Sequence, residues 1–381
     1  MAYDLAIVGG GPAGAAAALT ARRVAPAARV AVVERAGFPR DKTCGDAISP
    51  DAVGELAKLG VSDALDGAVP VQRLRLRAPG GLEVADAPPA GGYVVPRLTF
   101  DARLAAAARA CGVDWHTATV REVRRERGGA VLATTAGPLR ARVVIGADGA
   151  NSAVRRAVAA PVAARHMGVA VRAYAPAPSP AHELALVWER GDVLAYAWSF
   201  AIDAERCNVG YGVFGTRHPP RRAALVERMT ALLDHAGDAE PGSVRGHRLP
   251  LSSGGAQLGA GAVLLAGDAA ALVNPITGEG IFYALLSGRL AAAAAVRAPA
   301  APLPGYRAML RAALGGHLRS TRWLSALAGR SGMLDHLVRA AAGSPATLEL
   351  LADLAFGKGA LTPMTTMTLT RALGRSALAT S

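Results

Sequence analysis

Met1-Ala-Tyr-Asp-Leu-Ala-Ile-Val-Gly9-Gly-Gly11-Pro-Ala-Gly14 is a short apolar run that opens into G-x-G-x-x-G. An alanine-rich stretch follows, and then Arg29-Val-Ala-Val-Val-Glu34, a second apolar run ending in a carboxylate. Strand, glycine turn, helix, strand and acid, with Glu34 twenty residues after Gly14, predict a dinucleotide-binding unit. Each part has a physical task. Gly9 permits the tight turn, Gly11 lets the backbone approach a pyrophosphate, and Gly14 lets helix and strand pack closely. The helix N-terminus offers unpaired N–H groups and a partial positive charge to the phosphates. Glu34 is placed to accept hydrogen bonds from an adenosine ribose.

The 381 residues leave room for two domains, or for one domain with a large insertion. With 51% hydrophobic and 19% charged residues the chain reads as well-buried and globular. Its net charge of +13 invites a nucleic-acid reading. Only Lys42, Lys58 and Lys358 are lysines, and the arginines are scattered with no recognition motif beside them, so no nucleic-acid partner is expected. Solvated faces and attraction for an anionic cofactor account for the charge better. Cys44, Cys111 and Cys207 are widely spaced, with no C-x-x-C or metal-ligand spacing. Neither disulfides nor a metal site is expected, and a reducing cytoplasm fits. No basic region precedes an apolar core at the N-terminus, so no signal peptide is expected. Asp268 interrupts the longest apolar run, which predicts a soluble, cytoplasmic protein. Peripheral membrane contact remains open.

Two later segments repeat the strand-to-turn-to-helix theme. Arg142-Val-Val-Ile-Gly-Ala-Asp148-Gly149-Ala-Asn-Ser-Ala-Val-Arg155 reads as a buried strand, a tight Asp-Gly turn and a helix start. Ala262-Val-Leu-Leu-Ala-Gly267-Asp268 is again a buried strand ending in a carboxylate, followed by Asn274-Pro275-Ile-Thr-Gly278-Glu-Gly280-Ile281 and a long alanine-rich helix. Taken singly, each is also what a capping aspartate at a strand–helix junction looks like. Their order after G-x-G-x-x-G is more specific.

Together the three segments resemble the FAD-dependent enzymes of the p-hydroxybenzoate hydroxylase fold. The resemblance implies an α/β chain with a Rossmann-type FAD-binding domain, an antiparallel β-sheet substrate domain and C-terminal helices. It implies that Asp268 holds the ribityl chain of a non-covalent FAD. The helix starting near Gly278–Ile281 would aim its N–H groups and dipole at the pyrimidine end of the flavin, where negative charge gathers on reduction. A narrower resemblance lies in Phe38-Pro39-Arg-Asp-Lys42-Thr-Cys44-Gly45-Asp46-Ala-Ile-Ser-Pro50, which is similar to the P-x-x-K-x-C-G…P segment of the geranylgeranyl reductase family. Tyr93-Val-Val-Pro-Arg97 and Tyr196-Ala-Trp198-Ser-Phe200 extend it, and Ser344–Pro363 matches the family's helical tail more faintly. The implied FAD set is Gly9, Gly11, Pro12, Ala13, Gly14, Glu34 and Arg35, then Thr43, Cys44, Gly45, Arg97 and Val120. Asp148, Asp268, Pro275, Gly278, Gly280 and Ile281 complete it. Tyr196, Trp198 and Phe200 are implied as substrate-pocket walls. Ala201 stands where the family usually has proline, a departure that bears on the substrate. Flavin-dependent halogenases carry W-x-W-x-I-P at this place, which the chain lacks.

The expected FAD domain comprises residues 1–75, 97–160 and 255–300, the substrate domain 76–96 and 161–254, and the C-terminal helical region 301–381. Alternation over Val71–Ala78, Leu82–Val95, Glu183–Trp188 and Cys207–Val213 predicts strands of an antiparallel sheet roofing the flavin. Ala301-Pro-Leu-Pro-Gly305 reads as a linker. Beyond it, Leu310, Leu314, Leu318, Leu324 and Leu327 recur at helical spacing. The arginines among them read as a solvated face, with membrane-surface docking the alternative. No second G-x-G-x-x-G follows a strand, so electrons are expected from transiently bound NAD(P)H or from an external reductase or ferredoxin. The family resemblance implies reduction of carbon–carbon double bonds in a prenyl chain or related hydrophobic substrate. Cys44, Tyr196 and Tyr211 are the candidate proton donors. An FAD-dependent monooxygenase is the alternative, and a flavin-binding cyclase without redox chemistry a third reading.

Overall fold

The computed structural model describes residues 2–86, 91–178, 182–240, 242–330 and 332–378. Residues 87–90 of the alternating stretch Leu82–Val95, 179–181 of the expected substrate domain and 379–381 of the tail lie outside the described residues.

The opening motif folds as strand Tyr3–Val8, helix Pro12–Val24 and strand Val30–Glu34. The two strands pair in parallel, and Gly137–Gly146 and then Val263–Leu265 extend the sheet in parallel on the other side. Register decides what this achieves. Val8 stands opposite Gly146, and Gly146 opposite Leu265. The segments leaving those positions, at Gly9, Asp148 and Asp268, therefore emerge side by side at the carboxyl edge of the strands, where open α/β sheets bind their ligands. The alanines have a packing reason. Ala15–Ala18 and Ala21 of the first helix and Ala291, Ala292, Ala294 and Ala295 of helix Ile281–Arg297 are buried. A Cβ on Gly288 would lie 2.1 Å from the carbonyl oxygen of Ala13, so these helices meet backbone to backbone.

A seven-stranded sheet forms the second layer, in the order Arg245–Pro250, Met167–Pro176, Arg206–Phe214, Leu194–Ala201, Glu183–Trp188, Arg73–Arg77 and Glu83–Asp86. Its pairs are antiparallel except Glu183–Trp188 with Arg73–Arg77. Strand Arg73–Arg77 runs across the expected boundary between residues 75 and 76. Because side chains alternate along a strand, Tyr196, Trp198, Phe200 and Phe214 share one face. Val171, Val209, Tyr211 and Val213 share the other, under Leu225 and Met229 of helix Arg222–Leu232. That helix lies inside the expected β-sheet substrate domain, 161–254. Only Leu225 and Met229 of its 11 residues are buried, too few to leave a periodic trace.

The expected linker Ala301–Gly305 is instead the start of helix Pro302–Ala328, 27 residues long. Proline in the first turn removes an N–H that the helix leaves unpaired anyway, and its fixed φ suits the helix. Leu310, Leu314 and Leu324 are buried along it. Helices Met333–Ala342, Pro345–Phe356 and Pro363–Leu378 complete the chain. No helix among the described residues is long and apolar enough to cross a membrane.

Candidate active site

A cleft of about 480 Å³ runs along the carboxyl edge of the parallel sheet, lined by Gly9, Gly11, Pro12, Ala13, Glu34, Arg35, Val120, Asp148 and Asp268. The glycines divide the work by geometry. Gly9 has φ +101°, and a Cβ there would meet the Ala147 carbonyl oxygen at 2.3 Å. A Cβ on Gly14 would lie 1.8 Å from the Gly9 carbonyl oxygen. Gly11 differs, since the nearest atom to its Cβ position is Arg40 Nη2 at 3.4 Å. The first two are needed by the fold. Gly11 leaves the backbone bare toward the cleft.

Glu34 is buried, with Oε2 accepting from the Gly10 N–H at 2.7 Å and Oε1 from the Ala36 N–H at 2.9 Å. It braces the glycine turn, and each oxygen retains a lone pair for a ribose hydroxyl. Asp148 accepts from Ser152 Oγ and from the Ala153 and Val154 N–H groups at 2.6 and 3.3 Å. It therefore caps helix Ala153–Val158 while lining the cleft. Burial pushes its carboxyl pKa up, against these donors. Arg155 Nη1 donates to the Ala269 carbonyl at 2.8 Å, tying the Asp-Gly and Gly-Asp segments together.

At Pro12, Lys42, Thr43, Arg97, His247 and Asp268 the cleft adjoins a second cavity of about 210 Å³, which these residues also line. Lys42 Nζ lies 3.1 Å and His247 Nε2 3.9 Å from Asp268 Oδ2. Burial alone would raise the Asp268 carboxyl, but Lys42 and His247 overcome it and hold the group well below the usual carboxylate range. Arg97 is buried, and its guanidinium grips Asp101 through contacts of 2.6 and 2.7 Å.

Beyond this junction the wall is apolar. Cys44 and Gly45 line it beside Trp198 and Phe200, Tyr196 and Phe214 line it too, and Gly278, Gly280 and Ile281 close it at the start of helix Ile281–Arg297. Glycines seat the rings. A Cβ on Gly210 would lie 2.0 Å from Trp198 Cζ2, one on Gly278 2.8 Å from Phe214 Cε1, and one on Gly45 3.0 Å from Phe200 Cε2. Tyr196 and Phe214 stack with centroids 5.3 Å apart. Burial raises the Cys44 thiol, and the neighbouring Arg97 charge pulls in the opposite direction.

Three expectations change. Tyr211 does not reach the cavity: an odd position on strand Arg206–Phe214 puts it on the far face, where its hydroxyl donates to Glu189. Pro275 is buried in the turn after Asp268 and lines neither cavity, because the chain folds back there and the Gly278 N–H bonds the Asn274 carbonyl at 3.0 Å. Tyr196 does line the cavity, but its hydroxyl donates to the Thr277 carbonyl, and burial raises its pKa.

Sequence reading also missed a buried polar cluster. Asp46, at φ 64°, accepts from the Arg97 N–H at 3.2 Å, Tyr174 Oη at 3.0 Å and Asn208 Nδ2 at 2.8 Å. Burial raises it to about 6. Asn208 also donates to the Cys44 carbonyl at 2.8 Å and accepts from Trp198 Nε1 at 2.9 Å, joining the cysteine segment to the aromatic wall. An asparagine between valine and cysteine in an apolar strand is the signal that could have exposed it. Arg172, buried over the Tyr174 ring at 4.3 Å and ion-paired to Asp41, extends the cluster.

Residues 2–286 match the family model of the FAD binding domain. The menaquinone reductase of Mycolicibacterium smegmatis is 36% identical over 310 residues, covering 76% of this chain and 75% of its own. The geranylgeranyl diphosphate reductase of Rhodobacter capsulatus is 33% identical, covering 78% and 75%. The chain belongs to the geranylgeranyl reductase family of FAD-dependent oxidoreductases. A geranylgeranyl bacteriochlorophyll reductase-like protein from Thermoplasma acidophilum shares its fold, with a TM-score of 0.81 at 21% identity over 98% of this chain and 96% of that one.

The residues present fit FAD. The bare Gly11 backbone and the Pro12–Val24 helix start suit a pyrophosphate, and Glu34 suits a ribose. The cleft is the more polar of the two spaces, and it meets the apolar cavity at Asp268, as the two ends of a flavin nucleotide require. In this reductase-family chain Asp268 is already ionised and braced by Lys42, ready to accept hydroxyl hydrogen bonds.

Proposed function

We propose that the protein saturates carbon–carbon double bonds in the polyprenyl chain of a hydrophobic substrate. One observation carries this reading: the nucleotide cleft opens, past the Lys42–Asp268 pair, into a cavity walled by Tyr196, Trp198, Phe200, Phe214, Val71 and Leu184. Such a wall binds a flexible isoprenoid by burial of apolar area, at about 25 cal/mol per Å² removed from water. The names of the two relatives, one a menaquinone and one a geranylgeranyl diphosphate reductase, support a polyprenyl acceptor.

FAD supplies the two-electron chemistry, and the chain supplies orientation and electrostatics. The start of helix Ile281–Arg297 lies at the cavity, and its dipole favours negative charge there. Trp198, held by Asn208, and Phe200, packed over Gly45, fix the wall beside Cys44. Electrons come from NAD(P)H or a partner reductase that docks transiently. A polyprenyl lipid is met at a bilayer surface, and the exposed Trp323, Met364 and Met367, with Arg319 and Arg322 nearby in sequence, support peripheral contact there.

The test is product mass. The protein should purify yellow, and with chemically reduced FAD and no oxygen it should add two hydrogens per double bond to geranylgeranyl diphosphate or a menaquinone. Oxygen incorporation under air, with no hydrogen gain without it, would make it a monooxygenase. Colourless protein that FAD does not reconstitute sinks the flavoenzyme assignment.

A further inference from the structure

Saturating an alkene requires a proton as well as a hydride, and few of the acids lining the cavity are placed to give one: Asp51 is paired to Lys358 at 3.1 Å and Asp353 is exposed. Tyr196 has committed its hydroxyl to the Thr277 carbonyl. Asp268 is ionised beside Lys42. Tyr211 lies on the other face of the sheet. Asp46 has three donors on its two oxygens and lines neither cavity.

Glu279 differs from all of these. It lines the apolar cavity between Gly278 and Gly280, next to the start of helix Ile281–Arg297. Ser49 Oγ donates to its Oε1 at 2.5 Å, while its buried Oε2 has no hydrogen-bond partner. An ionised carboxylate with one oxygen left bare in an apolar wall is costly, whereas a protonated carboxyl there is not. The surroundings favour the proton. Asp51, on helix Pro50–Leu59 and paired to Lys358 at 3.1 Å, bears on Glu279 and on Asp353 of the tail. From the helix that follows, Tyr283 feels the Glu279 charge, and the Phe282 N–H is the one opposing influence besides Ser49. Burial, then Asp51, raises its pKa to about 8.

We propose that Glu279 is the acid that protonates the substrate alkene, an inference resting on the double-bond reductase reading above. Reduced FAD, when bound, would supply the hydride pair for a C–H bond at one alkene carbon. The π pair of the alkene takes the proton of the Glu279 carboxyl at the other. The alkene is reduced to an alkane, the cofactor is oxidised, and Glu279 is left as a carboxylate that solvent reprotonates past the partly exposed Asp51.

The test has two arms on FAD-loaded protein. In the infrared, wild type minus Glu279→Gln should show a protonated-carboxyl band at pH 7 that titrates away near pH 8. Ser49→Ala, which removes the donor favouring the charged form, should move that midpoint upward. In anaerobic single turnover with geranylgeranyl diphosphate or a menaquinone, Glu279→Gln should slow alkene reduction by about a hundredfold, a usual size for a lost general acid. FAD content and chemical reduction of the flavin should not change. Absence of the band, or turnover by Glu279→Gln within a few-fold of wild type, overturns the proposal. Wild-type protein that hydrogenates neither probe overturns the reductase reading and this role with it, so the two failures are told apart.

Discussion

Lys42 and Asp268, 226 residues apart in sequence, bring Nζ and Oδ2 within 3.1 Å at the junction between the nucleotide cleft and the apolar cavity. The pair joins the cysteine-bearing segment to the turn that follows strand Val263–Leu265. Removing Asp268 leaves Lys42 with no carboxylate at the junction and deprives FAD of its acceptor. Asp268→Ala should weaken FAD retention by at least about tenfold, which is 1.4 kcal/mol, while Glu240→Gln, at an exposed position, should not. Equal flavin content after gel filtration would count against this placement. Because the folded Asp268 pKa lies below its unfolded value, its stabilising effect is present above about pH 4 and is lost as pH falls through the folded pKa.

The glycines of the turn should separate by phenotype. Gly14→Ala forces a methyl to 1.8 Å from the Gly9 carbonyl oxygen, so loss of folded protein by circular dichroism is expected. Gly11→Ala meets only the flexible end of Arg40 at 3.4 Å, so the fold should survive with flavin binding reduced. Soluble, flavin-replete Gly14→Ala would contradict the packing described.

Tyr211→Phe should leave turnover within about twofold of wild type, because the side chain faces helix Arg222–Leu232 and away from the cavity. Its effect should instead appear in denaturant melts as a loss of about 1.5–3 kcal/mol, the usual value for a hydrogen bond to a charged partner, here Glu189. A large fall in alkene reduction without loss of stability would restore Tyr211 to the reaction.

Asp46 predicts a pH signature of stability. Its folded pKa of about 6 exceeds the unfolded value of about 3.9, so the native state binds the extra proton between them. The contribution is fully present below about pH 4 and is lost as pH rises through 6. Asp46→Asn removes the titration and tolerates the positive φ of 64°. Urea melts from pH 4 to 7 should show a shallower decline in the variant, by on the order of 2 kcal/mol across the window. Parallel curves would argue against a buried, titrating Asp46.

The parallel sheet was legible because each strand ends in a residue with a narrow conformational reason to be there: Gly9, Asp148-Gly149, Gly267-Asp268. The pocket wall was legible at Tyr196, Trp198 and Phe200 through family resemblance. Tyr211 misled because aromatic content marks a strand without saying which face is inward, and that depends on a register set by Arg172 opposite Gly210 and Trp198 opposite Gly210. Pro302 misled because proline reads as punctuation whether it ends a loop or starts a helix. Asp46, Asn208 and Glu279 stayed hidden for another reason. Their significance lies in burial and partners more than a hundred residues away, which local pattern does not carry.

Asn274 Nδ2 donates to the carbonyls of Leu354 and Ala355, Thr277 Oγ1 to Ala355, and Tyr283 Oη to Gly357. Thr277 in turn receives the Tyr196 hydroxyl. The tail is thus held through its backbone by side chains of the turn that closes the cavity. A chimera that grafts the last helices of another family member would therefore be tolerant of tail sequence but intolerant of change at Asn274, Thr277 and Tyr283. Specificity engineering can vary Ala352 and Phe356, which line the cavity, while those three anchors keep the foreign segment in register.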